Sequence, residues 1–409
     1  MRSLVVVVAL VGCGSNDSNG TPDAHGVDGH IDPADAARNS ASFGDLMPHI
    51  VGNNGVIAAP KVLAITYAND PNRTDYETFF TQYAAASAWT AQVNEYGVGA
   101  LTVKTPGRLS ANAPSTLTEA TFISNVLTPN LTGGAPLFGA PDANTIYEIS
   151  IPPTLSYDDG SGAKCCSDYL GYHFDAMIGN VDVPFAINCA CNGGGLTALQ
   201  NLTETANHET VEAATDPFGM GFAQADDDHA AWTYITDGEV GDLCEYADTA
   251  SMLAPAGMSY AIQRTWSNAA AHASTDPCVP GGASSYYQTI PDAPDAATVP
   301  VFTGNANTHL KKIAMGATGT LTLHVYATDG STGPYTVTVD DWNGLTTQPS
   351  VKLLSITPPV GTFNAGDTIS LQVTVSGTDS QLGSKAEAFQ VTTTPASGPS
   401  TYFYGLVGQ

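Results

Sequence analysis

The chain has 409 residues, enough for two domains with connecting segments, and its 12 Lys and Arg stand against 39 Asp and Glu for a formal charge of −27. A surface this acidic repels phosphate backbones and anionic lipid, which excludes nucleic acid as a partner and leaves the membrane reachable only through an N-terminal anchor. The same charge favours the capture of cations.

The N-terminus reads "MRSLVVVVALVGCGS": one Arg, an apolar run Leu4–Val11, then Gly12-Cys13. Eight apolar residues are too few to span a bilayer but suit the core of a secretory signal. Residues 1–13 are therefore expected to be a signal peptide. Leu10-Val11-Gly12-Cys13 resembles a bacterial lipobox, which implies cleavage and lipidation at Cys13, with the mature chain exported as a lipoprotein of the outer membrane or cell surface. Residues 14–55 are dominated by Gly, Asp, Asn, Ser, Pro and Ala and read as an acidic flexible linker.

From residue 56 the pattern becomes globular. "KVLAITY" (61–67) is a strand by composition, and "RTDYETFFTQYAAASAWTAQV" a helix with a capping box from Thr74 to Glu77. A second helix is expected at about 116–127. "TIYEISI" (145–151) and "VDVPFAI" (181–187) are further strands, separated by a Gly- and Cys-rich loop. Leu196, Leu199, Leu202 and Ala206 then recur at helical spacing, and that helix ends before Pro217. Residues 281–300 read as a Pro- and Gly-marked linker. Alternating segments such as "TLTLHVY" and "TISLQVTV" predict an all-β module over 301–409, a small immunoglobulin-like sandwich able to contact a cell surface or polysaccharide.

Apart from Cys13 there are six cysteines: Cys165, Cys166, Cys189, Cys191, Cys244 and Cys278. An even number in an exported chain predicts disulfides, at least one of them between the adjacent pair and the Cys-x-Cys pair. A Cys-based zinc site is the rival, and it lacks any Cys-x-x-Cys.

The chemistry centres on "ANHETVEAATDP" (206–217). Positions i and i+4 of a helix share a face, so His208 and Glu212 can hold one divalent ion, expected to be zinc, while Glu209 beside them acts as general base. Glutamate in the place of a second histidine makes the site more anionic and admits other metals. "TDGEVGDLCEY" (236–246) supplies a further ligand, Glu239 or Asp242, with the other as acceptor for the free ring nitrogen of His208. "DDDH" (226–229) reads as a solvated acidic loop with at most some affinity for calcium. The bland reading of the motif is an acidic helix face.

His208-Glu209-x-x-Glu212, preceded by an apolar strand and followed by an acidic segment, resembles the zincin metalloproteases. The resemblance implies an α+β zincin-like domain over 56–280, a metal-dependent peptidase acting on peptide or protein, and a sheet-edge strand before the helix that pairs with extended substrate. "AATDPFGMGF" with the later Gly-Asp-x-Cys and Asp-Pro-Cys is similar to the plant exordium proteins, which implies instead a non-catalytic extracellular binding protein. A purely structural metal is a third possibility.

Overall fold

The computed structural model describes residues 43–52, 55–282, 285–301, 304–328, 333–347 and 349–409. The expected signal peptide, Cys13 and most of the acidic linker lie outside the described residues.

Val62 to Ile65 form an unbroken buried apolar run, the pattern of a strand covered on both faces. This strand, β1 (Lys61–Thr66), lies inside a sheet with β2 (Thr145–Ile151), β3 (Gly171–Ile178) and β4 (Val181–Cys189). The spatial order is Thr102–Val103, β1, β2, β4, β3, parallel throughout except for the antiparallel edge strand β3. One face carries α1 (Arg73–Ala85), α2 (Ser87–Val93) and α3 (Ala198–Thr215), in a core with Val62, Ala64 and Ile146. The other face, with Leu63, Ile65, Tyr147 and Phe185, is covered by the helical stretch from Glu119 to Thr132.

Local expectations are corrected in several places. The long first helix breaks at Ala86, whose backbone is extended, and its capping box is absent: Asn72 is the N-cap, and Glu77 turns to Arg108 instead. Thr116–Thr118 is a strand paired with Ser156–Asp158, and the helix begins at Glu119. The segment expected to be a loop holds the whole of β3. As a result β4 is interior, and the sheet edge next to α3 is formed by β3.

The linker boundaries move as well. Phe43, Leu46, Met47 and Ile50 are buried, and Ile50–Val51 pairs with Gln224–Ala225, so the folded unit starts before residue 56. Most of the expected 281–300 linker is sheet: β5 (Tyr287–Pro291) and β6 (Asp295–Val301) belong to the C-terminal module. That module continues with β7 (Gly304–Lys312), β8 (Thr318–Ala327), β9 (Tyr335–Asp341), β10 (Leu354–Ile356), β11 (Thr368–Val375), β12 (Ala386–Pro395) and β13 (Thr401–Gly408). One sheet runs β5-β8-β11-β10 and the other β6-β7-β13-β12-β9, with their apolar side chains in one interior.

That interior is continuous with the first domain. Trp232, on α4 (Ala230–Thr236), packs edge-on against Phe403 and Tyr404 of β13. Asp248 accepts from Tyr402 Oη at 2.6 Å and Ser400 N at 3.0 Å. The "DDDH" loop is structural rather than merely solvated. Asp226 accepts from the backbone of His49 and faces His229, Asp227 accepts from Asn307 N, and Asp228 meets His309.

Three disulfides close the cysteine accounting: Cys165–Cys189, Cys166–Cys191 and Cys244–Cys278. They fit an oxidising compartment and leave none of the six thiols for a metal. Among the described residues no helix is long and apolar enough to cross a membrane.

Candidate metal centre

α3 starts with a capping box that the spacing Thr197-x-x-Gln200 could have revealed: Thr197 accepts from Gln200 N, and Gln200 answers to Thr197 N. From there the helix runs beneath the sheet, burying Leu202, Ala206, Val211, Ala213 and Ala214. His208 and Glu212, one turn apart, meet at 3.0 Å between Nε2 and Oε2. The loop after α4 comes over them. Gly241 N donates to Glu212 Oε1 at 3.1 Å, and Asp242 Oδ1 stands 3.4 Å from the same His208 Nε2. A Cβ on Gly241 would lie 2.7 Å from Glu212 Oε1 and 2.8 Å from the His208 ring, so only glycine lets the loop close this tightly.

The sequence reading missed two residues. His173 stands in the segment expected to be a loop, but the period-two alternation of β3 turns it toward α3, while Tyr172 and Phe174 pack on Phe185 behind the sheet. Its Nδ1 lies 3.6 Å from Glu209 Oε2 and 3.5 Å from Glu212 Oε2, and its Nε2 lies 3.8 Å from Glu239 Oε1. The signal was the alternation in "GYHFDAMI", obscured by its mixed composition. Gln263 is the second: its Oε1 is 3.1 Å from His208 Nδ1, and its Nε2 donates to Gly241 O at 2.8 Å. The second bond fixes the amide orientation, so His208 Nδ1 is the protonated nitrogen and Nε2 is the one presented to the carboxylates. No local pattern marks this glutamine.

The four expected ligands are thus gathered, in a different arrangement from the one foreseen. Asp242 stands with His208, and its Oδ2 accepts from Glu239 N; Glu239 stands with His173 and Glu212. Asp216 is not part of the cluster, since its Oδ1 accepts from Gly221 N in the turn that ends α3. Tyr234 and Tyr246 point away, to Asp379 and Trp342.

The electrostatics are those of crowded, buried charge. Burial opposes ionisation of Glu212, but His208 and His173 outweigh it and hold the carboxyl down at about 2. Burial raises Glu209 despite the same imidazoles, and it raises Asp242 to about 6 and Glu239 well above its ordinary value. Burial would lower His208, yet Glu212 and Asp242 push it well above the normal range.

The donor set suits a divalent ion. Ligands about 2.0–2.1 Å from a tetrahedral metal lie roughly 3.3 Å from one another, and the His208–Glu212 and His208–Asp242 separations of 3.0 and 3.4 Å bracket that spacing.

No family model matches the chain, and no curated protein matches it. Among solved structures, a β-glucosidase from Listeria innocua is similar at 10% identity with a TM-score of 0.15, over 90% of this chain and 48% of that one. The chain therefore spans about half that protein's length, and a likeness this low carries no argument about fold or activity.

Proposed function

We propose that the chain is an exported, lipid-anchored metal-dependent hydrolase acting on peptides. The observation that carries this reading is His208 Nε2, which meets Glu212 Oε2 at 3.0 Å and Asp242 Oδ1 at 3.4 Å, with Glu209 offering a further carboxylate oxygen within 4.8 Å of His208 and Glu212 and with His173 of β3 3.5 Å from Glu212. His208, Glu212 and Asp242 would hold the ion, with zinc the metal best suited to this mix of imidazole and carboxylate. Bound there, a divalent ion acidifies water and polarises a carbonyl.

The chain's own residues do the rest. Glu209, kept basic by its burial, takes a proton from the attacking water and returns it to the leaving amine. His173, 3.6 Å away, orients that carboxylate. No further described strand pairs with the outer edge of β3, so its backbone is free to bind an extended peptide. The Cys165–Cys189 and Cys166–Cys191 bridges tie the loop that enters β3 to the end of β4.

The test is Glu209→Gln, assayed on a peptide library beside metal analysis. The expected result is retained metal and hydrolysis reduced at least about 100-fold. Full activity in this variant overturns the mechanism. A chain that binds no metal overturns the whole reading and favours a non-catalytic binding protein.

A further inference from the structure

The cluster contains more ligands than one ion uses. Two groups of donor atoms within 4.8 Å of one another are present, His208 with Glu209 and Glu212, and His173 with Glu212 and Glu239. The two imidazoles fall in different groups and approach Glu212 from different elements, His208 from α3 and His173 from β3. Gln263 backs His208, and the carbonyl of Asp216 lies 3.3 Å from His173 Nε2. Building on the hydrolase reading, we infer that the centre takes two divalent cations, one at His208, Glu212 and Asp242 and a second at His173, Glu212 and Glu239, with Glu212 common to both.

The number of donors points the same way. Glu209, Glu212, Glu239 and Asp242 gather four carboxylates with two imidazoles, His173 and His208, in one largely buried cluster. An ion held by His208, Glu212 and Asp242 leaves the His173 and Glu239 donors, 3.8 Å apart, unused beside it. Sharing one carboxylate between two ions is how paired-metal hydrolytic centres place both metals against one substrate group. Here that role falls to Glu212, the residue that replaces histidine in the motif.

The test is the metal content of the full chain, stripped with chelator, reloaded with zinc, desalted and measured by elemental analysis. Two zinc ions per chain are expected, falling to one in His173→Ala and, as a check against misfolding, to one in Glu239→Gln. Manganese loading of the wild type gives an exchange-coupled pair in its electron paramagnetic resonance spectrum. One zinc per chain in the wild type, or two retained in both variants, overturns the second position while leaving the hydrolase reading intact. No bound metal overturns both.

Discussion

His208 Nδ1 stands 3.1 Å from Gln263 Oε1, and the same glutamine donates to the backbone of Gly241, the residue whose N–H is bound by Glu212. One side chain therefore sets both the tautomer of His208 and the position of the loop that carries Asp242. Gln263 is itself anchored, since its backbone N–H donates to Asn207 Oδ1 at 2.8 Å.

Replacing Gln263 with Ala frees the His208 ring and unties the Gly241 loop without removing a ligand. Metal affinity is expected to fall about 10–100-fold, the usual cost of losing such support. Competition with a chromophoric chelator measures it. Unchanged affinity would mean that the loop holds itself in place.

Glu148 offers a pH-dependent prediction. Its Oε1 is 2.7 Å from Thr210 Oγ1, whose hydroxyl is also 2.5 Å from Ala206 O. Thr210 Oγ1 donates to Glu148 Oε1 and Asn188 Nδ2 donates to its Oε2 at 2.6 Å, which favours the carboxylate. Burial outweighs both bonds and raises the carboxyl from 4.5 to about 8. The folded state then binds a proton that the unfolded chain has lost. The stability this contributes is fully present below about pH 4.5 and disappears as pH rises through 8. Glu148→Gln keeps the bond from Thr210 but cannot ionise. For the metal-free protein, melting curves of wild type and variant should coincide near pH 5 and separate above pH 8, with the variant higher. Parallel curves across that range would count against a neutral Glu148.

The Cys244–Cys278 bridge, 34 residues apart in sequence, closes a segment that carries Gln263 and begins just after Asp242. Changing both to Ser is expected to destabilise the chain by about 3–4 kcal/mol on the loop-entropy scale. Urea unfolding followed by circular dichroism would measure it, and metal affinity should fall in the same protein because two supports of the centre lose their tether. A stability loss with unaltered affinity would separate the bridge from the site.

Trp232 joins the two modules, with ring centroids 5.4 Å from Trp266, 5.7 Å from Phe403 and 4.8 Å from Tyr404. Trp232→Ala should cost about 3–5 kcal/mol, as expected for a large buried aromatic. Calorimetry should show one transition in the wild type, because the modules share a core. Two well-separated transitions in the wild type would instead mean that the modules unfold independently.

What the sequence determined by itself is what depends on neighbours a few residues apart. Helical period places His208, Glu209 and Glu212 together whatever the rest of the chain does. Apolar runs identify β1, β2 and β4, alternation identifies the later β strands, and an even count of cysteines announces bridges. Only the tertiary structure decided the remainder. His173 reaches the site because β3 closes the edge of the sheet, 35 positions before His208 in the chain. Gln263, the separate stations of Asp242 and Glu239, the three cysteine pairings and the burial of Phe43 and Tyr287–Pro291 likewise depend on contacts between distant segments. Such contacts are chosen by packing and by the pairing of buried polar groups, which act through space and leave little trace in local spacing.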